Sequence, residues 1–112
     1  MARFRNIVSS TITSGTSTSD IDLGAVCSRV LVMNPAITSG TITVHVSDSD
    51  QTSGTYYPMY ALKADNTGDF ANTTGNETTS KGVVFDIGAS RYIKVVFSTS
   101  QSTLTVKVRG II

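Results

Sequence analysis

The chain has 112 residues and a mass of 11.8 kDa, with 9 basic and 8 acidic side chains, 1 His, 1 Cys and no Trp. One domain is what this length supports, because two cores of half the size would bury too little surface to stand alone. A lone Cys cannot close an intramolecular disulfide, no Cys/His cluster offers a structural zinc site, and a formal charge of +1 gives no strong field for nucleic acid or an anionic membrane.

The N-terminus opens with a short basic–aromatic arm, residues 1–5, in which Arg3, Phe4 and Arg5 precede a domain spanning 6–112. Two arginines begin like a secretory signal, but no apolar run of about seven residues follows, so a signal peptide is not expected. No stretch approaches the roughly 18 apolar residues of a membrane-spanning helix. The sequence reads as a complete product made in a cytoplasm. Strands are predicted at 6–12 and 18–23, and a further one at 26–33 that is apolar on both faces, as a central strand would be. Cys27 lies in that apolar segment and is expected to be a small core hydrophobe with an inert thiol.

Period-2 alternation is clearest from residue 41 onward. Ile42, Val44 and Val46 share one face of a strand over 41–47, with Thr43, His45 and Ser47 on the other. The segment 55–62 contains Pro58, which marks an edge strand or a bulge. Residues 64–81 form one long polar loop, with Phe70 as its sole large apolar residue and expected anchor. After it come 82–87, again apolar on both faces, and then two alternating strands. In 91–97 the inward residues are Ile93, Val95 and Phe97; in 103–109 they are Leu104, Val106 and Val108. Thr-Ser-Gly-Thr recurs at 13–16, 38–41 and 52–55, and Ser-Gly is a turn dipeptide because Gly takes positive φ without steric cost. No window has helical periodicity with caps. Seven or eight short antiparallel strands with regular turns predict an all-β sandwich of jelly-roll type, and the absent Cys pair and Trp argue against a true immunoglobulin domain.

The chemistry on the chain is sparse. His45 sits mid-strand on the polar face with no nucleophile assigned to it, and no Gly-rich phosphate loop occurs, so no catalytic residue and no cofactor is expected. Carboxylates cluster as Asp20/Asp22, Asp48/Asp50 and Asp65/Asp69, and an i, i+2 pair on a strand could offer two oxygens to Ca²⁺. The Asp48–Gly54 segment resembles the start of an EF-hand loop, yet Ser53 and Met59 occupy the positions that need Gly and Glu; Asx-type turn capping is the expected role, with no metal site. Tyr56, Tyr57 and Tyr60, grouped around Pro58, form the densest recognition-like patch, against the ordinary role of tyrosine in strands. The chain closes on Ile111-Ile112, where tails are usually polar, so this end is expected to be covered by its own core or by a neighbouring subunit.

Ser and Thr number 15 and 17, that is 32 of 112 residues, and they fill the outward half of the strand pattern. A short Met-initiated, hydroxyl-rich, Trp-free chain carrying VSDSDQTSGTYYPM and ASRYIKVVFSTSQSTLTVKVRGII resembles small virion proteins of tailed bacteriophages, in particular capsid decoration (cement) proteins. The resemblance carries over no catalytic or ligand residue. It implies a non-enzymatic β-sandwich on the virion capsid surface, made in the host cytoplasm. Such a protein would bind the major capsid (coat) protein and assemble as a homo-oligomer, a trimer being favoured. Arg3, Phe4, Arg5, Tyr56, Tyr57, Tyr60, Ile111 and Ile112 are the candidate contact residues. Two other roles fit the same pattern: a receptor- or carbohydrate-binding tail or fibre module, and a head–tail connector or tail-completion protein.

Overall fold

The structure, a computed structural model, describes residues 3–34, 40–50, 54–59, 61–62, 70–71 and 81–112. In chain order the strands are β1 (Val8–Ile12), β2 (Gly15–Ser17), β3 (Ile21–Asn34), β4 (Ile42–Ser47), β5 (Tyr56–Pro58), β6 (Ala61–Leu62), β7 (Phe70–Ala71), β8 (Lys81–Gln101) and β9 (Leu104–Ile111). Every pairing is antiparallel. The main sheet runs β1-β9-β3-β8-β4-β5, with β2 also laid on β8, while β6 and β7 pair separately. The all-β prediction holds. The long polar segment expected over 64–81 is interrupted by β7 and runs into β8 at Lys81; its other residues lie outside those described.

Two pairs of predicted strands are each a single long strand. Residues 21–23 of the first predicted segment and all of 26–33 belong to β3, and 82–87 and 91–97 to β8. Each long strand bends at a repeated tetrapeptide, Asp22-Leu23-Gly24-Ala25 in β3 and Asp86-Ile87-Gly88-Ala89 in β8. The bend has the same chemistry both times. Gly24 and Gly88 adopt φ of +88° and +69°, which side chains with a Cβ rarely tolerate. Their amides donate to Asp22 Oδ1 (2.8 Å) and Asp86 Oδ1 (3.0 Å), so the carboxylate replaces a ladder partner lost at the bend. The residue between Asp and Gly, Leu23 or Ile87, points into the core.

The register of β3 on β8 slips between Asp22 and Cys27 and again between Cys27 and Arg29. Across those slips the buried positions of β3 change from Ile21, Leu23 and Cys27 to Val30 and Val32. The bends let two strands serve two layers, as at the corners of sandwiches whose strands switch sheets. One layer holds β1, β9, the C-terminal half of β3 and the N-terminal half of β8. The other holds β2, the start of β3, the rest of β8, β4 and β5. Inward side chains from both, including Val30, Val32, Val106 and Val108 from the first and Ile42, Val44, Ile93, Val95 and Phe97 from the second, form one core.

Thr18 explains why the second predicted strand starts later than its pattern. It is buried, its amide donates to Val95 O (3.0 Å), and its hydroxyl accepts from the Val95 amide (3.0 Å). A side chain thus supplies one ladder bond before Ile21 resumes regular pairing. At the β4–β5 turn, Asp48 Oδ1 accepts from the Thr55 amide (3.0 Å) and Ser47 Oγ from the Ser49 amide (3.0 Å), the capping role expected of that segment.

Candidate functional site

The arm and the C-terminus meet. The Arg5 amide donates to Gly110 O (2.8 Å), the Ile112 amide donates to Arg3 O (2.8 Å), and Phe4 bridges Ile111. Residues 3–5 therefore extend the sheet along β9, ahead of β1. Side chains alternate along this short piece. Arg5 turns toward the bend of β3, where Gly24 leaves room for its guanidinium. Phe4, 54% exposed, lies on the outer side beneath the Arg109 guanidinium, whose Cζ is 4.7 Å from the ring centroid.

Cross-strand register extends that contact into a surface. Leu31 lies opposite both Val84 and Arg109, Met33 opposite Gly82 and Lys107, and Arg29 opposite Asp86 and Ile111. Val84 is 51% exposed. Gly82 has no side chain to cover Leu31, whose Cδ1 lies 3.2 Å from where a Cβ would stand. Leu31, Met33 and Val84 thus form a short apolar stripe on the outer face, with Phe4 set apart from it across β9 under Arg109; Arg29, Lys107 and Arg109 band it, with the acidic Asp86 opposite Arg29. The predicted central strands are central in the sheet, but their second apolar face is open to solvent.

The other layer carries a polar–aromatic group near its free edge. Arg91 donates to Asp22 through Nε (2.9 Å to Oδ1) and Nη2 (3.1 Å to Oδ2), with its Cζ 5.4 Å from the Tyr92 ring centroid. Lys94 Nζ stands 4.6 Å from the Tyr56 ring centroid and 3.7 Å from Asp20 Oδ1. The Tyr56 hydroxyl is enclosed and finds no well-formed hydrogen bond; burial first, then the nearby Asp20 carboxylate, pushes its pKa above the ordinary phenol range. Tyr57, its neighbour on β5, is 53% exposed. Tyr60 lies outside the described residues. Tyr56 and Tyr57 sit at the opposite end of the strand order from the arm, so the predicted contact residues divide into two groups.

Two titrating groups here set a pH dependence. The Arg91 hydrogen bonds hold the Asp22 carboxyl below its ordinary 3.8, and burial, helped by the Lys94 charge, holds His45 below its ordinary 6.5. Both depressed values mean that stability is fully present above the ordinary pKa and is lost as pH falls through the lowered one. Acid titration of unfolding free energy is therefore expected to fall in two windows, one opening below about 6.5 and one below about 3.8. His45→Gln should flatten the first window alone and Asp22→Asn the second alone. An unchanged profile in either variant would remove that group as the cause.

Among the described residues, no group of three or more His, Cys, Asp or Glu side chains is arranged to hold a metal ion. No protein-family model matches the sequence, and a search of curated proteins finds no match. Among solved structures, the chain is similar to the crystal structure of SPBc2 prophage-derived protein YomS, with a TM-score of 0.61 and 17% identity. The likeness covers 100% of this chain and 97% of that one, so the whole fold is shared.

Arg29, Leu31, Met33, Val84, Lys107 and Arg109 were not singled out by sequence reasoning, although they frame the outer stripe. The signal was present in part: 26–33 and 82–87 are apolar on both faces, and only burial of one face distinguishes a core strand from an open one. The Asp-x-Gly-Ala repeat was equally legible, since both copies stand in the sequence with the same residue types.

Proposed function

We propose that the protein is a non-enzymatic structural component of a tailed-phage particle, a capsid decoration (cement) protein that binds coat subunits as an oligomer. The observation that carries this reading is the end-to-end fold similarity to a prophage-derived protein. The outer stripe adds to it. In a chain with few charges, the half-exposed Val84 stands beside Leu31, with Met33 two residues further along β3 and the half-exposed Phe4 across β9, and exposed apolar surface on a small domain marks an interaction site. Decoration asks for such modest patches, because one weak contact repeated over a lattice becomes strong through avidity.

The test is binding of the purified protein to capsids that lack it. Val84→Asp is expected to weaken binding by roughly tenfold or more, the effect of charging one apolar anchor in an interface. Its half-exposed position lets the fold survive, which thermal unfolding will check. Wild-type affinity in this variant would exclude the stripe as the capsid contact. The exposed Tyr57 beside Tyr56 favours one second reading, a carbohydrate-binding tail module. A few copies confined to the tail, with glycan binding that Tyr57→Ala abolishes, would select it over decoration.

A further inference from the structure

The main sheet has two ends, and they are finished differently. β5 is three residues long and ends in Pro58, which cannot donate to a further strand; both features blunt an edge. β1 has neither. From Asn6 to Ser19 the chain contains no charged residue and no proline, and β1 spans five residues, Val8–Ile12, in regular register with β9. One row of its backbone amides and carbonyls faces away from β9, and among the described residues no strand pairs there. An open, uncharged edge of this kind is a template for another strand.

We propose that β1 pairs antiparallel with β1 of a second copy of this chain across a two-fold axis at Ser10, joining two sheets into one. The occupant follows from self-complementarity. A two-fold axis at Ser10 places Ser9 opposite Thr11 of the other copy and Val8 opposite Ile12. Burial along β1 assigns Ser9 and Thr11 to the exposed face and Val8, Ser10 and Ile12 to the inner side. Apolar residues therefore meet apolar ones on the inner side, hydroxyls meet hydroxyls on the outer side, and no charges oppose. An isologous contact closes at two copies, so it yields a dimer and not a filament. The inference rests on the oligomeric part of the function proposed above, and does not depend on the capsid as partner.

The experiment uses the full chain. Native mass spectrometry and light scattering over a concentration series should give a dimer that dissociates on dilution. In the double variant S9E/T11E, each introduced carboxylate faces another across the axis, while the S9E side chain stands beside Lys107 within its own subunit. Self-association should weaken by roughly tenfold or more with thermal unfolding little changed. S9E/T11K places opposite charges across the same axis and should restore the dimer. Independently, S10C should form a disulfide-linked dimer on oxidation, because its partner is its own symmetry mate and Cys27 is buried. A monomeric wild type at all concentrations, an S9E/T11E variant as dimeric as wild type, or an S10C chain that does not cross-link would overturn the proposal. A trimer or ring would overturn it as well and leave the capsid-binding result standing.

Discussion

Phe97→Ala is expected to lower the unfolding free energy by about 3–5 kcal/mol, because truncating a large buried aromatic loses its transfer free energy and leaves a cavity the surroundings fill only in part. Phe97 is 2% exposed and stands opposite Ile42 in the second layer, with Val95 and Ile93 below it on the same side of β8. The second half of β8 is clasped by β4 on one side and β2 on the other, so the backbone has little freedom to collapse into the void. A domain of this size is stable by about 5–15 kcal/mol in all, so one side chain accounts for a large fraction of it. The denaturant midpoint should fall with the slope preserved, and the melting temperature should drop by roughly 10–20 °C. Val96→Ala, one residue back and on the outer side, is the control and should cost far less. Equal losses at the two positions would contradict the assignment of faces.

Those faces were readable in the sequence because alternation is a local property. Ile42, Val44 and Val46 against Thr43, His45 and Ser47 need no knowledge of partners, and the same holds for Ile93, Val95 and Phe97. What alternation could not convey was continuity. Gly88-Ala89-Ser90 reads as a break between strands, since a glycine at positive φ capped by an Asp serves a turn and a bend alike. The two differ only in whether the flanking segments stay on the same neighbour, and β8 keeps β3 beside it through the bend. The same limit applied to the candidate site. Tyr56 and Tyr57 were visible as a cluster because they are adjacent in sequence. The Phe4–Arg109 contact joins the two ends of the chain through the pairing of Arg3–Arg5 with Gly110–Ile112, and a segment that looks like a free arm carries no local sign of that pairing.

Gly110→Ala tests a place where the meeting of the two chain ends is packed to contact. A Cβ at Gly110 would stand 2.5 Å from Cys27 Sγ, 3.3 Å from Leu23 Cβ and 3.5 Å from Arg5 Cγ. Cys27 is 1% exposed and its thiol donates to Ala25 O at 3.4 Å, so the sulfur has nowhere simple to go. Overpacking of this kind costs about 1–3 kcal/mol. Gly110→Ala should therefore destabilise the fold by that amount, although alanine is ordinarily better tolerated than glycine in a strand. The sulfur's part in it is measurable. Cys27→Ala alone removes a small buried group and should also destabilise, while the double variant should be more stable than the sum of the two by about 1 kcal/mol or more, since each change makes room for the other. The thiol gives a second readout. Burial raises the Cys27 pKa, against the opposing charge of Arg5, so it should react with a thiol reagent only when the β3 bend and the end of β9 part. Gly110→Ala should speed that reaction in proportion to the stability lost, and strict additivity in the double variant would show instead that the added methyl is accommodated without displacing the sulfur.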